Sequence, residues 1–182
     1  MKIAICQINT TVGHFKGNES SILKGMDWAK KHGASLAVFP ELATFGYPPR
    51  DLLDKPYLVE AGISAAKRIA DKTTQNFGCL FGSVLRNEAS PGHGLWNTAC
   101  LAFDGNIQFH QPKTLLPTYD VFDEARHFDP APSQNPFFFQ NVSFGLSVCE
   151  DIWSSFDFGG RRYYDLDTNS VLKAQGAQCI IN

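Results

Sequence analysis

The sequence predicts a mixed α/β or α+β domain, in which helices are layered against a sheet. Two patterns support this fold class: short apolar runs alternate with helical periodicity in the first half of the chain, and paired strands are more frequent in the second half. The length of 182 residues favours one domain, and a hydrophobic fraction of 43% is sufficient to build a core.

The first elements alternate between strand and helix. Residues 2–9 alternate apolar and polar side chains, which is typical of a strand. Residues 17–33 predict a helix with Asn18 as its N-cap and Gly33 as its C-cap, in which Ile22, Met26 and Ala29 share one apolar face. Residues 34–41 form a short apolar run, which indicates a buried strand.

A second helix and a hairpin occupy the middle of the chain. Residues 57–75 carry apolar side chains at helical spacing, and residues 78–85 predict a strand. Residues 90–94 ("SPGHG") indicate a turn. Residues 95–110 predict a β-hairpin that turns at the Asp-Gly pair 104–105.

The last elements are a strand pair at 136–149 ("PFFFQNVSFGLSVC"), a helix at 163–175 and a strand at 177–182. The predicted order is therefore β-α-β-α-β-ββ-ββ-α-β. Because a natural domain rarely ends on an apolar strand, we expect the chain to be a C-terminally truncated part of a longer domain.

Charge and hydropathy exclude several classes of partner. The net charge of −2 and the pI near 6.2 argue against binding to nucleic acid or to an anionic membrane. No apolar run approaches the roughly 20 residues of a transmembrane helix. The N-terminal "MKIAICQIN" has the pattern of a strand and not of a signal peptide, so we expect a cytoplasmic protein.

The cysteines predict neither a disulfide framework nor a zinc site, because their number is odd and none are paired at CxxC spacing. They are Cys6, Cys79, Cys100, Cys149 and Cys179. We expect all of them except Cys149 to be small buried hydrophobic residues. The histidines lack HxH and HExxH spacing, so no metal site is predicted.

Three polar residues stand at the ends of apolar strands, where α/β folds gather reactive groups. They are Glu41 in "LAVFPEL", Lys113 in "IQFHQPKTLLP" and Cys149 in "GLSVCED". Taken singly, each has an ordinary interpretation as a solvated acid, a surface lysine or an inert thiol. Together they supply a carboxylate base, a cation and a thiol, which is a set suited to amide hydrolysis.

In this hypothesis Glu41 takes the proton of the Cys149 thiol as sulfur attacks an amide carbonyl, and passes it to the departing ammonia. Lys113 and the backbone N–H of Glu150 stabilise the oxyanion. Glu41 then activates a water molecule, which hydrolyses the thioester.

Three segments resemble the carbon–nitrogen hydrolase (nitrilase) superfamily: "VFPELATFGYPPRDLL", "PKTLLPTYDVFDEARHF" and "SVCEDIW". The second and third are most similar to the N-terminal glutamine-hydrolysing domain of glutamine-dependent NAD synthetases. The resemblance extends over residues 1–182 and implies a four-layer α-β-β-α sandwich, here truncated at its C-terminus.

By position, the resemblance implies that Glu41 is the general base, Lys113 the oxyanion partner and Cys149 the nucleophile. It also implies that Glu124 orients the lysine. Residues implied to lie beside glutamine are Tyr119, Glu150 and Trp153; those implied to wall the site are Phe45 and Tyr47; and those implied to brace the lysine loop by an ion pair are Asp123 and Arg126.

The resemblance further implies that ammonia passes to a synthetase domain, which aminates nicotinic acid adenine dinucleotide with ATP and Mg²⁺. That domain is absent from the 182 residues, so we expect no cofactor in this segment. We also expect a homo-oligomer, and weak or no glutaminase activity from these residues alone.

Three alternatives remain open. The first is a stand-alone amidase of the same superfamily that acts on a small amide or nitrile. The second is a cysteine–histidine hydrolase with His110 or His127 as its base. The third is a binding domain without enzymatic activity, in which Cys149 is inert.

Overall fold

We describe residues 1–89, 91–155 and 163–182 in a computed structural model of the chain. The strands are β1 (Ile3–Ile5), β2 (Leu36–Val38), β3 (Gly78–Arg86), β4 (Leu95–Phe103), β5 (Asn106–Pro112), β6 (Phe137–Phe139), β7 (Val142–Leu146) and β8 (Cys179–Ile181). The α-helices are α1 (Phe15–Lys31), α2 (Pro56–Ala70) and α3 (Thr168–Ala174). Short 3₁₀ helices span Arg50–Asp54, Glu124–Arg126 and Cys149–Ser155.

The described residues form two compact units. The first comprises residues 1–86 and 97–110, and the second comprises residues 87–96 and 111–182. A five-stranded sheet has the order β1-β2-β3-β4-β5, and a three-stranded sheet in the second unit has the order β6-β7-β8. Two sheets with helices confirm the predicted α/β class.

Parallel strands begin the five-stranded sheet. Leu36 of β2 pairs with Ile3 of β1 on one side and with Gly78 of β3 on the other. The predicted hairpin is confirmed between β4 and β5, and it turns at Asp104 and Gly105 with φ angles of 52° and 75°. Both angles are left-handed, as a tight turn between antiparallel strands requires.

Helices α1 and α2 pack together in the first unit, α1 against β2 and α2 against β3. The predicted buried face of α1 is confirmed, since Ile22, Met26 and Ala29 are all buried. Burial of these side chains is the main stabilising contribution of such a helix, because isolated helices of this length are marginal in water.

Asn18 was predicted as the N-cap of α1, and this is wrong. The helix begins at Phe15 after His14, so Asn18 lies within its second turn and is buried. Its side chain accepts the N–H of Thr11 at 2.9 Å and donates to the carbonyls of Thr11 and Thr44. A capping residue and a buried amide that satisfies loop backbone have the same sequence signature.

Other boundaries differ by a few residues. Helix α1 ends at Lys31 with His32 as its C-cap, and Gly33 follows in a left-handed conformation with φ 71°. Helix α2 ends at Ala70, not 75, where the Thr73 hydroxyl donates to the Ala70 carbonyl at 2.6 Å. Strands β1 and β2 are shorter than predicted.

The second unit confirms the predicted strand pair and final strand. Strands β6 and β7 are antiparallel and turn at Gln140 and Asn141, both with positive φ, while β8 lies parallel to β7. Helix α3 begins at Thr168 and not at 163, because the Asp167 carboxylate accepts the N–H of Ser170 at 3.0 Å and caps the helix there. Part of the turn predicted at 90–94, Ser90, lies outside the described residues.

The cysteines follow the prediction with one exception. Cys6, Cys79 and Cys100 are buried, and burial raises the pKa of the Cys100 thiol to about 12. Cys179 is only partly buried, because it lies on the edge strand β8. None of the described helices is long and apolar enough to cross a membrane.

Candidate active site

Glu41 lies in a turn that follows β2 in the first unit. The chain after β2 is held to β3, since the N–H of Phe39 donates to the Leu80 carbonyl at 2.8 Å. Leu42 then turns the backbone with φ 48°. This turn presses against Gly82 of β3, where an added Cβ would lie 2.6 Å from the Glu41 Cα and closer still to the Leu42 nitrogen. Glycine is therefore required at position 82.

Asn97 of β4 binds the Glu41 carboxylate. Its amide Nδ2 donates to Glu41 Oε1 at 2.6 Å, and the Asn97 side chain is buried. A carboxylate held by a buried amide has a fixed orientation, which general base catalysis requires. Asn97 was not predicted from the sequence, although a polar residue inside the apolar pattern of "LWNTACLAF" indicates a buried polar group that needs a partner.

Lys113 follows β5 directly, and its side chain is completely buried in the second unit. Its Nζ donates to Glu124 Oε1 at 2.8 Å, and Glu124 is 5% exposed. The pair is therefore desolvated, and a buried ammonium of this kind needs a carboxylate partner. Backbone hydrogen bonds hold both residues of the pair in place. The Lys113 carbonyl accepts the N–H of Ala131, and the Glu124 N–H donates to the Pro117 carbonyl.

Cys149 stands at the start of the 3₁₀ helix that follows β7. Its backbone has φ 46°, a left-handed conformation that non-glycine residues seldom adopt and that is common at functional sites. The side chain is partly buried, in contrast to the buried Cys79 and Cys100. Desolvation raises the pKa of both of those thiols, so they are poor nucleophiles.

Asp151, two residues further along, is fully buried. Its carboxylate accepts three backbone N–H groups, those of Thr114, Leu115 and Val148. Burial raises the pKa of Asp151 to about 6, although the three hydrogen bonds and the charge of Lys113 oppose this shift. Asp151 therefore does not face a substrate but holds backbone.

Glu150 has a different environment from its neighbour. Each of its carboxylate oxygens accepts one tyrosine hydroxyl, from Tyr164 at 2.6 Å and from Tyr119 at 2.8 Å. Glu150 and both tyrosines line a pocket of about 500 Å³ together with Trp153 and Tyr163. The pocket combines an aromatic lining with one oriented carboxylate.

The charges of Lys113 and Cys149 both act on Tyr119, which lines this pocket. The hydrogen bond to Glu150 raises the pKa of Tyr119 to about 12, and burial adds to the shift. The Cys149 charge raises the same pKa further, while the Lys113 charge lowers it. Burial and the hydrogen bond to Glu150 also raise the pKa of Tyr164, so both phenols are protonated donors at neutral pH.

Phe45, Asp123 and Arg126 were also assigned roles near the site from the sequence. Phe45 is fully buried and packs edge-to-face on Phe15, and its expected role as a wall of the site stays a prediction. Asp123 and Arg126 do form an ion pair, but it is exposed and 3.8 Å long. Such pairs contribute little, whereas the Asp151 carboxylate accepts two backbone N–H groups from the segment after Lys113. Tyr164, like Asn97, was missed.

Comparison with known proteins gives the family. A family profile described as carbon–nitrogen hydrolase matches residues 2–155. The chain belongs to the carbon–nitrogen hydrolase family. It is 37% identical over 183 aligned positions to a glutamine-dependent NAD(+) synthetase of Synechocystis, and this alignment covers 99% of the chain and 33% of that protein.

Further relatives agree. The glutamine-dependent NAD(+) synthetase of Acinetobacter baylyi is 36% identical over 84% of the chain and 27% of its own length. The solved structure of the glutamine-dependent NAD+ synthetase from Acinetobacter baumannii has a TM-score of 0.76 and 33% identity, and it covers 84% of this chain and 28% of its own. This carbon–nitrogen hydrolase chain thus spans about a third or less of those relatives.

An amidase from Nesterenkonia sp. shares the fold of this carbon–nitrogen hydrolase. Its structure has a TM-score of 0.75 at 23% identity, and it covers 99% of this chain and 63% of its own. The likeness covers nearly all of the described chain, which extends the fold match beyond the synthetases.

Proposed function

We propose that this chain is the glutamine-hydrolysing part of a glutamine-dependent NAD synthetase, and that it releases ammonia through a thioester on Cys149. The observation that carries the proposal is the left-handed Cys149, followed directly by a Glu150 carboxylate that two tyrosines orient in a pocket. The names of the aligned relatives supply the substrate class.

The first half of the reaction forms the thioester. Glu41 accepts the thiol proton as the Cys149 sulfur adds to the amide carbon, and Lys113 stabilises the oxyanion together with the backbone N–H of Glu150. The C–N bond then breaks, and Glu41 returns its proton to the leaving nitrogen, which departs as ammonia. Glu124 holds the Lys113 ammonium in place through their 2.8 Å contact.

The second half regenerates the thiol. Glu41 takes a proton from water, hydroxide adds to the thioester carbonyl, and the C–S bond breaks to give glutamate. The proton on Glu41 returns to the Cys149 sulfur. The hydrogen bond from Asn97 orients Glu41 for both halves of the reaction.

Substrate selection follows from the charge in the pocket. The Glu150 carboxylate pairs with the α-ammonium group of glutamine, since ammonium is the cationic group of that substrate. Trp153 and Tyr163 cover its carbon chain, and both line the same pocket. Tyr119 and Tyr164 keep the carboxylate plane fixed, so selection depends on orientation as well as charge.

The ammonia would pass to a synthetase domain that uses ATP and Mg²⁺ to aminate nicotinic acid adenine dinucleotide. The chain spans 33% of the Synechocystis relative, so this step is proposed for a whole enzyme of that kind and not for these residues alone. A cytoplasmic, oligomeric assembly is part of the same proposal.

A stand-alone amidase acting on a small amide is the second candidate. One observation favours it: the Nesterenkonia amidase has the same fold, and one of its structures carries the acetamide moiety of fluoroacetamide on its active-site cysteine. Small amides would not need the Glu150 carboxylate, so Glu150→Gln distinguishes the two. It should lower turnover of glutamine and leave that of acetamide unchanged.

Ammonia release from glutamine tests the proposal in the 182-residue chain and in the longest protein that its gene encodes. Cys149→Ala should abolish release, and Cys179→Ala, which removes another partly buried thiol, should leave it unchanged. We expect the longer protein to be far more active than the 182 residues. Release that survives Cys149→Ala would contradict the thioester route, and loss with a histidine variant alone would favour a cysteine–histidine hydrolase.

A further inference from the structure

We propose that Asp151 is a positioning residue that sets the separation of Lys113 and Cys149, because its carboxylate binds the backbone beside each of them. This inference rests on the proposed function, in which Lys113 stabilises the oxyanion that Cys149 creates. The residue itself contacts neither the substrate nor the reacting sulfur in this account.

The two carboxylate oxygens of Asp151 hold two separate segments. Oδ1 accepts the N–H of Thr114 at 3.0 Å and that of Leu115 at 2.8 Å. Oδ2 accepts the N–H of Val148 at 3.0 Å. One rigid group therefore joins the loop after β5 to the turn after β7.

The donors adjoin the two reactive residues in the chain. Thr114 follows Lys113 directly, and Val148 directly precedes Cys149. A displacement of either segment would move an ammonium or a sulfur relative to the other. An oxyanion hole works only when its donors stand where the charge develops, so this separation matters for the rate.

Asp151 is itself anchored. Its backbone carbonyl accepts the hydroxyl of Ser154 at 2.9 Å and that of Thr168 at 2.7 Å. Thr168 is the first residue of α3, so the link extends into a helix. The carboxylate is thus held from behind while it holds the two loops.

A carboxylate is the side chain that fits this task. It accepts on both oxygens, whereas an asparagine amide has one accepting oxygen and one donating nitrogen. Asp151→Asn therefore sets an N–H₂ group against at least one of the three backbone N–H groups. The nearby Lys113 charge favours the ionised form of Asp151.

Asp129 provides a matched comparison in the same unit. Its carboxylate also accepts three hydrogen bonds, from the side chain of Asn87 and from the backbone N–H groups of His93 and Gly94. It is buried, as Asp151 is. Its donors adjoin neither Lys113 nor Cys149. Substitution of Asp129 therefore shows the effect of losing a buried carboxylate that has no positioning role at the site.

The test compares Asp151→Asn with Asp129→Asn in the longest protein that the gene encodes. We expect Asp151→Asn to lower kcat for glutamine by about 10²-fold with KM changed by about twofold or less, because misplacement acts on the transition state. Asp129→Asn should keep kcat within about threefold of the wild type, although both variants lose hydrogen bonds. Equal kcat in the two variants, or a change in KM alone, would overturn the proposal.

Amide hydrogen exchange supplies a readout that does not depend on turnover. In Asp151→Asn, the N–H groups of Thr114 and Val148 should both exchange faster, and Asp129→Asn should change neither. Unchanged exchange at either residue would contradict the proposed link. A wild type that releases no ammonia from glutamine, or that releases it without needing Cys149, would refute the proposed function. The exchange result would still decide whether Asp151 joins the two segments.

A milder variant covers the case in which Asp151→Asn does not fold. Thr168→Val removes the hydroxyl that anchors the Asp151 carbonyl and keeps the shape of the side chain. We expect it to lower kcat by about threefold to tenfold without raising KM, since the carboxylate remains but is less firmly placed. Wild-type kcat in this variant would count against the proposal.

Discussion

The turn that carries Glu41 and the turn that carries Cys149 have similar backbones but are held in place by different interactions. Each follows a buried strand, and each uses a left-handed non-glycine residue, Leu42 in the first unit and Cys149 in the second. The Glu41 turn is fitted against the backbone of β3, where only Gly82 leaves room. The Cys149 turn is held by the ionised side chain of Asp151.

This difference teaches what each turn is sensitive to. A turn held by close backbone packing should be destabilised when a substitution adds side-chain volume, because the interior is close-packed. A turn held by a buried carboxylate should respond to charge and to pH. The following changes separate these two kinds of sensitivity, in order of decreasing effect.

The largest effect should come from Lys113→Met in the second unit. This variant leaves the Glu124 carboxylate buried without its ammonium partner, which costs about 3–5 kcal/mol in free energy of unfolding. Urea unfolding measures the loss. The control is Lys24→Met on the exposed side of α1, which should change stability by about 0.5 kcal/mol or less. Equal losses in the two variants would contradict burial of the pair.

The next largest effect should come from Gly82→Ala, which adds a methyl group against the Glu41 turn. The added Cβ collides with the backbone of Glu41 and Leu42, and overpacking of this kind costs about 1–3 kcal/mol. It should also lower kcat by moving Glu41. Gly33→Ala is the control, since a Cβ there meets no atom within 4 Å and only the left-handed backbone is penalised. It should lose about 1 kcal/mol and keep its activity.

The pH dependence should distinguish the Cys149 turn. Burial raises the folded-state pKa of Asp151 to about 6, above an unfolded value of about 3.9. The folded state binds more protons between these values, so this group makes the free energy of unfolding fall as pH rises from about 4 to about 6, by about 2 kcal/mol. Urea unfolding across this range should show that the free energy of unfolding of the wild type falls relative to that of Asp151→Asn, and a constant difference between the two would contradict the shift.

Asp129 should contribute a pH dependence of the free energy of unfolding with the opposite sign. Burial alone would raise its pKa, but hydrogen bonds from His93, Asn87 and Gly94 outweigh burial and lower the pKa below its usual value. Its contribution is therefore present above the unfolded pKa and lost as pH falls through the folded one. A stability difference between wild type and Asp129→Asn that grows on acidification would contradict this sign.

The smallest effect should come from Tyr164→Phe in the pocket. It removes one neutral donor from Glu150, which is worth about 1 kcal/mol and should raise KM for glutamine by about fivefold. The change should leave kcat nearly unaltered, because the carboxylate binds substrate and does not take part in the chemistry. A loss in kcat with unchanged KM would place Glu150 in the chemical step instead.

The sequence allowed the strands and the polar residues at their ends to be predicted, because hydrophobic patterns and turn residues are local signals. The Asp-Gly hairpin and the buried face of α1 are examples. The partners of these residues were not predictable in the same way. Asn97 binds Glu41 across a sheet, so the contact depends on strand register and not on spacing in sequence.

Asp151 shows the same limit more clearly. In the sequence it is an acid two positions after a thiol, and proximity alone suggests that it would oppose thiolate formation. In the structure its carboxylate is turned to the backbone at Thr114, Leu115 and Val148. The direction of a side chain in a 3₁₀ turn, and not its distance along the chain, decides its role.

The most direct test of the central claim is acid-quenched mass spectrometry of the protein during reaction with glutamine. We expect a covalent adduct with the mass of a glutamyl group on the peptide that contains Cys149, and none in Cys149→Ala. Glu41→Gln should show neither turnover nor adduct, because Glu41 also takes the thiol proton in the step that forms the thioester. Glutamine turnover with no adduct at Cys149 in any of these proteins would contradict the account.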